Sequence, residues 1–469
     1  MKINPKKSCG PDGIKGKVLK TCANELSFIF TFIFNMSLNT HTVPTLWKTA
    51  EVIPVPKKPK VSVLNDLRPV ALTSIAFKCL ERIVFNHISS CLSVAQDPFQ
   101  FAYRTKRSVD DAILIFFDNI YRHLDIPKHY CRVLFADFSS AFNTIQPHML
   151  LPKLNNLKVD KNIIAWVHDF LTNRQQYVKL SNVKSSSTSG PGQMNSIIFS
   201  DRITTNTGAP QGCVLSPILF TIYTNDCYSN EDNVTILKFA DDSSIQGMIV
   251  NEDERFYRQT IDKFVKWCDD HFLLLNVSKT KEVIFDFRNK RPIPTPISIK
   301  NENVEIVAKY KYLGVTISED LSWTEHISRT VSKLNQRLYF LRKLRSFGID
   351  KTILKLFYTS VIQSVFTFCI ASWGGNAAKT DTNKISRTIE AASRVCLFNF
   401  ESFTSIYNEL CFRKITNILQ DPTHPLYGQI IFSERSGRPL SLPCKRNRYL
   451  LSFMPSAVRI LQSNKVKKF

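Results

Sequence analysis

Two runs of β-branched and aromatic residues each end on aspartate, and this constrains the fold more than any other feature of the chain. CysArgValLeuPhe at 131–135 leads through Ala136 into Asp137, and ValThrIleLeuLysPheAla at 234–240 leads into Asp241 and Asp242. Such runs read as buried strands whose ends deliver their acids to the rim of a sheet. SerSerIleGln after Asp242 begins a second extended run, which puts the acid pair near a hairpin turn. Adjacent strand residues face opposite ways, so Asp241 is expected to be the main metal ligand of the pair and Asp242 a supporting one. Between the two stations lies GAPQGCVLSP, in which Gly208, Pro210 and Gly212 suit a tight turn that another backbone or a ligand can approach closely. Two acid stations can share a pair of Mg²⁺ ions roughly 3.5 to 4 Å apart. Mg²⁺ takes one or two carboxylates and completes its shell with water and phosphate, so few acids are needed. Taken alone, an Asp pair before Ser-Ser also reads as a solvated turn.

The order of segments is more specific than any one of them. ADFSSAFNTI, GAPQGCVLSPILFTIYTND, KFADDSSI, LLLNVSKTKEVIF and KYLGVTI resemble, in that order, the palm and connecting motifs of reverse transcriptases from non-LTR (LINE-type) retrotransposons. Upstream, SCGPDGI, VIPVPKKPKVSVLNDLRPVALTS and FAYRTKRSVDDAI look like the family's amino-terminal extension and fingers; downstream, QRLYFLRKLRSFGI and FCIASWGGN look like its thumb. The resemblance spans nearly the whole chain. It implies an α+β right-hand polymerase with fingers and palm over 1–300, a primer-grip hairpin and helical thumb over 301–400, and a basic carboxy-terminal region over 401–469. It also implies RNA-directed DNA synthesis, in which two Mg²⁺ ions, or Mn²⁺ in their place, assist transfer of a dNTP to the 3′-hydroxyl of a DNA primer on an RNA template. A catalytically inactive remnant that only binds nucleic acid is the alternative, and an RNA-directed RNA polymerase is a weaker one.

Carried over residue by residue, the resemblance assigns metal binding to Asp137, Asp241 and Asp242, with the Phe138 carbonyl as a further ligand. Phe142 matches the aromatic gate against a ribose 2′-hydroxyl, and Gln211 with Gly212 matches the turn that contacts the incoming nucleotide. Arg68, with Lys57 or Lys58, resembles the triphosphate-binding residues of the fingers. Lys279 looks like the lysine that protonates departing pyrophosphate, with Lys281 as a rival. Tyr312 and Gly314 resemble the hairpin that grips the primer end.

Charge agrees with a polyanionic partner. Lys plus Arg number 62 against 39 Asp plus Glu, a formal balance of +23, which favours nucleic acid through counterion release. Over 331–347, Val331, Leu334, Leu338, Leu341 and Leu344 recur at helical spacing, with Lys333, Arg337, Arg342, Lys343 and Arg345 between them. Gly348 then closes the helix. Lys333 and Arg337 are the expected template-primer contacts, although a basic face turned to water has the same pattern.

At 469 residues the chain should divide into two or three subdomains. The Ser-, Thr- and Asn-rich segment 181–207 reads as a surface loop, longer than the family's connection. GlyProAspGlyIle lies within the first sixteen residues, which leaves no room upstream for the endonuclease such elements usually carry, and no ribonuclease H segment follows the thumb. Twelve Cys without a C-x-x-C pair and nine His without zinc-finger spacing argue against structural zinc, and scattered thiols suit a reducing compartment. The most apolar stretch, Leu26–Leu38, falls short of the ~20 residues of a membrane span and reads as a core helix. No secretory signal precedes it, so an intracellular protein, nuclear or cytoplasmic, is expected.

Overall fold

The computed structural model describes residues 3–92, 96–182 and 196–464. Their strands are β1 (Ala50–Pro56), β2 (Leu67–Leu72), β3 (Tyr130–Ala136), β4 (Arg174–Asn182), β5 (Ser196–Phe199), β6 (Ile203–Thr205), β7 (Val234–Phe239), β8 (Asp242–Ile249), β9 (Lys281–Phe285), β10 (Ser298–Ile299), β11 (Glu302–Asn303), β12 (Glu305–Ile306), β13 (Lys309–Tyr312) and β14 (Val315–Ser318). Helices make up much of the remainder, so the fold is α+β. The chain separates into two compact units, the first comprising Met1–Asp97, Phe138–Cys227 and Lys266–Leu274, the second Pro98–Asp137, Tyr228–Val265 and Leu275–Phe469.

In the first unit the strands run β2–β1–β4–β5, with β6 also on β4. β1 pairs antiparallel with β2 and parallel with β4. The helix Ile75–Leu92 turns Phe77, Leu80, Val84 and Ile88 inward, and the Phe77 ring lies within 6.0 Å of Trp47, Trp166 and Phe170. That aromatic cluster is the unit's core.

Two sequence expectations need correction here. The helix Ala23–Asn39 contains the apolar run, but it is not a core helix. Phe34 packs on Trp47 at 5.9 Å, whereas Phe28 is 82% and Phe32 66% exposed. A helix that is apolar all round has only one stripe covered here. Among the described residues no helix is long and apolar enough to cross a membrane. Nor is 181–207 a plain loop, because β5 and β6 both fold back antiparallel on β4. Residues 183–195 of that segment lie outside the described residues, as does the end of the basic tail beyond residue 464.

The second unit is built on the sheet β12–β9–β3–β8–β7. β3 lies at its centre, antiparallel to β8 and β9, and is buried along its whole length, as its composition requires. The helix Val109–Leu124, capped by Ser108 and Asp111 in a reciprocal box, contributes Phe116, which stacks on Phe135 of β3 at 5.8 Å. Arg132 of β3 is fully buried yet satisfied, its guanidinium paired at 2.7 Å with both Glu254 and Glu282. The hairpin β13–β14 leads to the helix Thr324–Ser346, which starts about two turns before the apolar periodicity at Val331. Gly348 ends it with φ 73°, as expected.

Candidate active site

The acids gather on one rim of the second unit's sheet. β3 ends at Ala136, whose partner on β8 is Ser243; one step further along this register sets Asp137 opposite Asp242. Cross-strand neighbours in such a pair have Cβ atoms about 4.5–5.5 Å apart. Phe239 pairs with Asp242 to close the β7–β8 hairpin, so the connecting turn is Ala240–Asp241. Asp241 therefore sits at the tip of a two-residue turn rather than in a strand, and Ala240 before it is left-handed, with φ 57°. Asp242 presents surface to solvent, but loss of hydration at its carboxyl, followed by the negative charges of Asp241 and Asp137, pushes that carboxyl up to about 6. The charges of Asp241 and Asp137 thus act on Asp242, and negative charge gathered at this rim suits a divalent cation. Among the described residues no group of three or more His, Cys, Asp or Glu side chains is placed to hold a metal ion, so the candidate donor set is one or two carboxylates. That donor set suits Mg²⁺, which draws most of its ligands from water and phosphate.

The chain returns to this rim through 276–280. Asn276 N–H donates to the Asp137 carbonyl at 2.8 Å, and Asp137 N–H donates to Thr280 Oγ1 at 3.3 Å. This tie carries the exposed Lys279 ammonium to 3.8 Å from Asp137 Oδ2. Its rival Lys281 is engaged elsewhere, with Nζ 2.7 Å from Glu305 and 2.6 Å from the Ser278 carbonyl.

The nucleotide turn belongs to the first unit, where backbone contacts fix it. Gly208 N–H donates to the Ile145 carbonyl at 2.7 Å, Ala209 N–H to that of Phe142 at 2.8 Å, and Ala71 N–H to that of Gln211 at 2.7 Å. Gly212 has φ 132°, and a Cβ there would lie 2.3 Å from the Ala71 carbonyl oxygen, so only glycine fits. Sequence reasoning missed one further anchor. Glu81 is fully buried, and its Oε2 accepts from Val214 N–H at 2.6 Å and Leu215 N–H at 3.0 Å. Burial pushes its carboxyl up to about 7 in spite of those bonds. The only signal was its spacing, since Glu81 continues the buried stripe Phe77, Val84 and Ile88 of its helix.

Beside this turn is a cavity of about 570 Å³ lined by Gln211, Asn143, Arg174, Tyr177 and Pro69 among others. Phe142 is half-buried with its ring 4.7 Å from Phe220, and Phe138 is half-buried as well. Arg68 is exposed on β2, opposite Val55. Lys57 is exposed, while Lys58 pairs with Asp66 at 2.8 Å.

The residues expected to meet primer and template divide into two kinds. Gly314 and Lys333 are open to contact. Gly314, with φ 91°, follows Leu313 in the tight β13–β14 turn, and Lys333 is exposed on its helix. Tyr312 and Arg337 are instead occupied within the protein. Tyr312 is 3% exposed, its ring 5.1 Å from Phe135 and its hydroxyl 3.3 Å from Ser244 Oγ. It is a core residue with a satisfied polar tip, so its side chain offers no surface to a primer. The Arg337 guanidinium donates to the Val361 carbonyl within the π-helical turn Tyr358–Gln363.

Comparison with known proteins bears on the family to which the chain belongs. The family described as reverse transcriptase (RNA-dependent DNA polymerase) matches residues 55–317, more than half of the chain. A second match, to the N-terminal region of alkylated DNA repair protein alkB homolog 8, is confined to residues 323–364. The probable RNA-directed DNA polymerase from transposon BS of Drosophila melanogaster is 26% identical over 81% of this chain and 42% of that protein. The RNA-directed DNA polymerase from mobile element jockey of the same organism is 24% identical over 82% of this chain and 41% of that protein. This chain thus spans less than half the length of these relatives. Among solved structures, telomerase from Candida Tropicalis aligns over 89% of this chain and 68% of that one, at 12% identity and a TM-score of 0.41, a superposition too loose to argue from. The chain belongs to the reverse transcriptase (RNA-dependent DNA polymerase) family, in its non-LTR retrotransposon branch.

Proposed function

We propose that this chain is an RNA-directed DNA polymerase that joins deoxynucleoside triphosphates to the 3′-hydroxyl of a DNA primer on an intracellular RNA template. The observation that carries this reading is the gathering of Asp137, Asp241 and Asp242 on one sheet rim, where the charges of Asp241 and Asp137 act on Asp242. Two Mg²⁺ ions, or Mn²⁺ in their place, would there stabilise charge on the attacking and departing oxygens. Asp137 and Asp241 are the ligands on this reading, with Asp242 and the Phe138 carbonyl in support.

The protein's own groups supply the rest. Lys279, its ammonium 3.8 Å from Asp137, gives a proton to the departing pyrophosphate oxygen, a contribution of typically 10²- to 10⁴-fold. Arg68 and Lys57 hold triphosphate oxygens through charge-assisted hydrogen bonds. Gln211 and Gly212 contact the incoming nucleotide, and Phe142 crowds a 2′-hydroxyl and so selects deoxyribose. The Gly314 turn and Lys333 contact the duplex. In this scheme fingers and palm occupy 1–300, the primer grip and thumb 301–400, and 401–469 forms the carboxy-terminal region.

Primer extension on an RNA template tests the reading. Extension should require Mg²⁺ and deoxynucleotides and vanish in Asp137→Asn and Asp241→Asn. A salt-sensitive gel shift with no extension under any metal would instead identify a nucleic-acid-binding remnant.

A further inference from the structure

The turn that carries Asp241 has a support that comes from far away in sequence. Ala240 is a non-glycine residue with φ 57°, a conformation that costs energy and persists only where its surroundings impose it. Its backbone N–H lies in the interior, since Ala240 is 9% exposed, and a buried N–H needs a partner. That partner is Gln100, whose Oε1 accepts from Ala240 N–H at 3.2 Å and from Ala102 N–H at 3.1 Å.

The segment that carries Gln100 is tied to the same strand. Phe101 N–H donates to the Lys238 carbonyl at 3.0 Å and Lys238 N–H to that of Phe99 at 2.9 Å, so residues 99–101 lie along the outer edge of β7 with Gln100 bridged in parallel to Lys238. Two donors converging on one oxygen fix the orientation of the amide. Gln100 is 1% exposed, and its Nε2 has no hydrogen-bond partner. An apolar residue of similar shape would avoid burying that donor unmatched; what it could not do is hold Ala240. Just beyond, Tyr103 is also left-handed, with φ 57°, and 50% exposed, and the Asp241 charge acts on its hydroxyl. Residues 99–101 thus line the strand that leads to Asp241, and the Gln100 side chain bonds its turn.

We infer that Gln100 is a positioning residue for Asp241, its side-chain oxygen holding the strained Ala240 turn so that the carboxylate stays fixed for a divalent ion. This rests on the polymerase reading above. It deepens that reading by naming a group that touches neither ion nor substrate but sets the geometry of one that does.

The test compares the parent with Gln100→Met, which keeps length and loses the acceptor, and with the double variant Gln100→Met/Ala240→Gly, in which glycine adopts the turn without strain. Asp241→Asn is run beside them. Gln100→Met should lower kcat roughly 10- to 100-fold, the range expected for an ångström-scale misplacement. It should raise the half-saturating Mg²⁺ concentration several-fold while leaving the KM for dNTP and primer-template binding within about twofold. Adding Ala240→Gly should recover part of that loss, because it removes the strain that Gln100 restrains. The inference is overturned if Gln100→Met extends primers as the parent does. It is equally overturned if kcat, metal response, nucleotide KM and duplex binding fall together with no recovery from Ala240→Gly, which marks a packing role. In both cases an inactive Asp241→Asn leaves the polymerase reading intact, whereas an active Asp241→Asn removes that reading itself.

Discussion

Two turns carry the candidate chemistry, and groups of different kinds hold them. At Ala240–Asp241 the anchor is the neutral amide of Gln100; at Gly208–Leu215 it is the carboxyl of Glu81, which accepts two backbone N–H groups at the start of the following helix. The rim around Asp241 already carries two other aspartates, and another carboxylate there would add like charge to it. A neutral oxygen supports the turn without that penalty. In the first unit burial raises the Glu81 carboxyl, and the Leu215 and Val214 N–H groups, followed by the charges of Lys78 and Arg174, offset only part of that cost. The turns also accommodate unusual backbone differently. Gly212 takes its φ freely, whereas Ala240 must be restrained. One turn should therefore depend on pH and the other on the integrity of a single amide.

The largest effect should separate the turns by kinetic signature. Asp241→Asn should lower extension on the order of 10³-fold or more at every nucleotide concentration, the scale of losing several kcal/mol of metal-borne charge stabilisation. Gln211→Ala should act mainly on the KM for dNTP, and steady-state titration of dNTP in both variants checks this. Were the two variants to share one signature, the separation of roles would be lost.

Next in size is Gly212→Ala. With a Cβ forced to 2.3 Å from the Ala71 oxygen at φ 132°, the turn must shift or unfold, a cost of about 3 kcal/mol. A lowered thermal midpoint together with a raised KM for dNTP is the expected result, measured by calorimetry and extension.

The pH contrast is sharper in kind and somewhat smaller in size. The Glu81 carboxyl sits at about 7 in the folded protein against 4.5 in its unperturbed state. Folded protein therefore binds more protons than unfolded protein between those values, and the stability this gives is fully present below pH 4.5 and lost as pH rises through 7. Glu81→Gln should thus match the parent near pH 4.5 and gain up to about 3 kcal/mol over it by pH 8. Unfolding curves at both pH values check the sign, and a variant less stable than the parent at pH 8 would contradict it. Gln100→Glu should do the reverse, losing stability as pH rises, because its added charge has the acid rim for company.

The smallest effect concerns the duplex. Lys333→Ala should weaken primer-template binding by a similar factor on all sequences and reduce the slope of log affinity against log salt by about 1. Arg337→Ala, by contrast, should lower the thermal midpoint, since Arg337 ties down the Val361 carbonyl.

Much of the rim was legible in sequence because strand composition and acid position are local. β3 and β7 end next to the acids as their composition required. What escaped was whatever depends on partners distant in the chain. Glu81 reads as one more charged letter beside Lys78 and Arg82, and Gln100 as a lone polar letter between Phe99 and Phe101; only the folded chain reveals which backbone groups they serve. Tyr312 carries the family's hairpin pattern, yet its ring fills the core, a choice made by Phe116 and Phe135 rather than by its neighbours in sequence. β5 was hidden in the same way, because SerIleIlePhe sits among Ser, Gly and Asn and gains its strand character from pairing with β4.

The central claim, that residues 137 and 241 face one divalent ion, is tested most directly by Fe²⁺-mediated hydroxyl-radical cleavage of the protein itself. With Fe²⁺ in place of Mg²⁺, backbone cuts should fall at both 135–139 and 239–243, be suppressed by excess Mg²⁺, and disappear from both stretches in Asp137→Asn. Cleavage at only one stretch, or cuts that survive the loss of Asp137, would contradict the shared site.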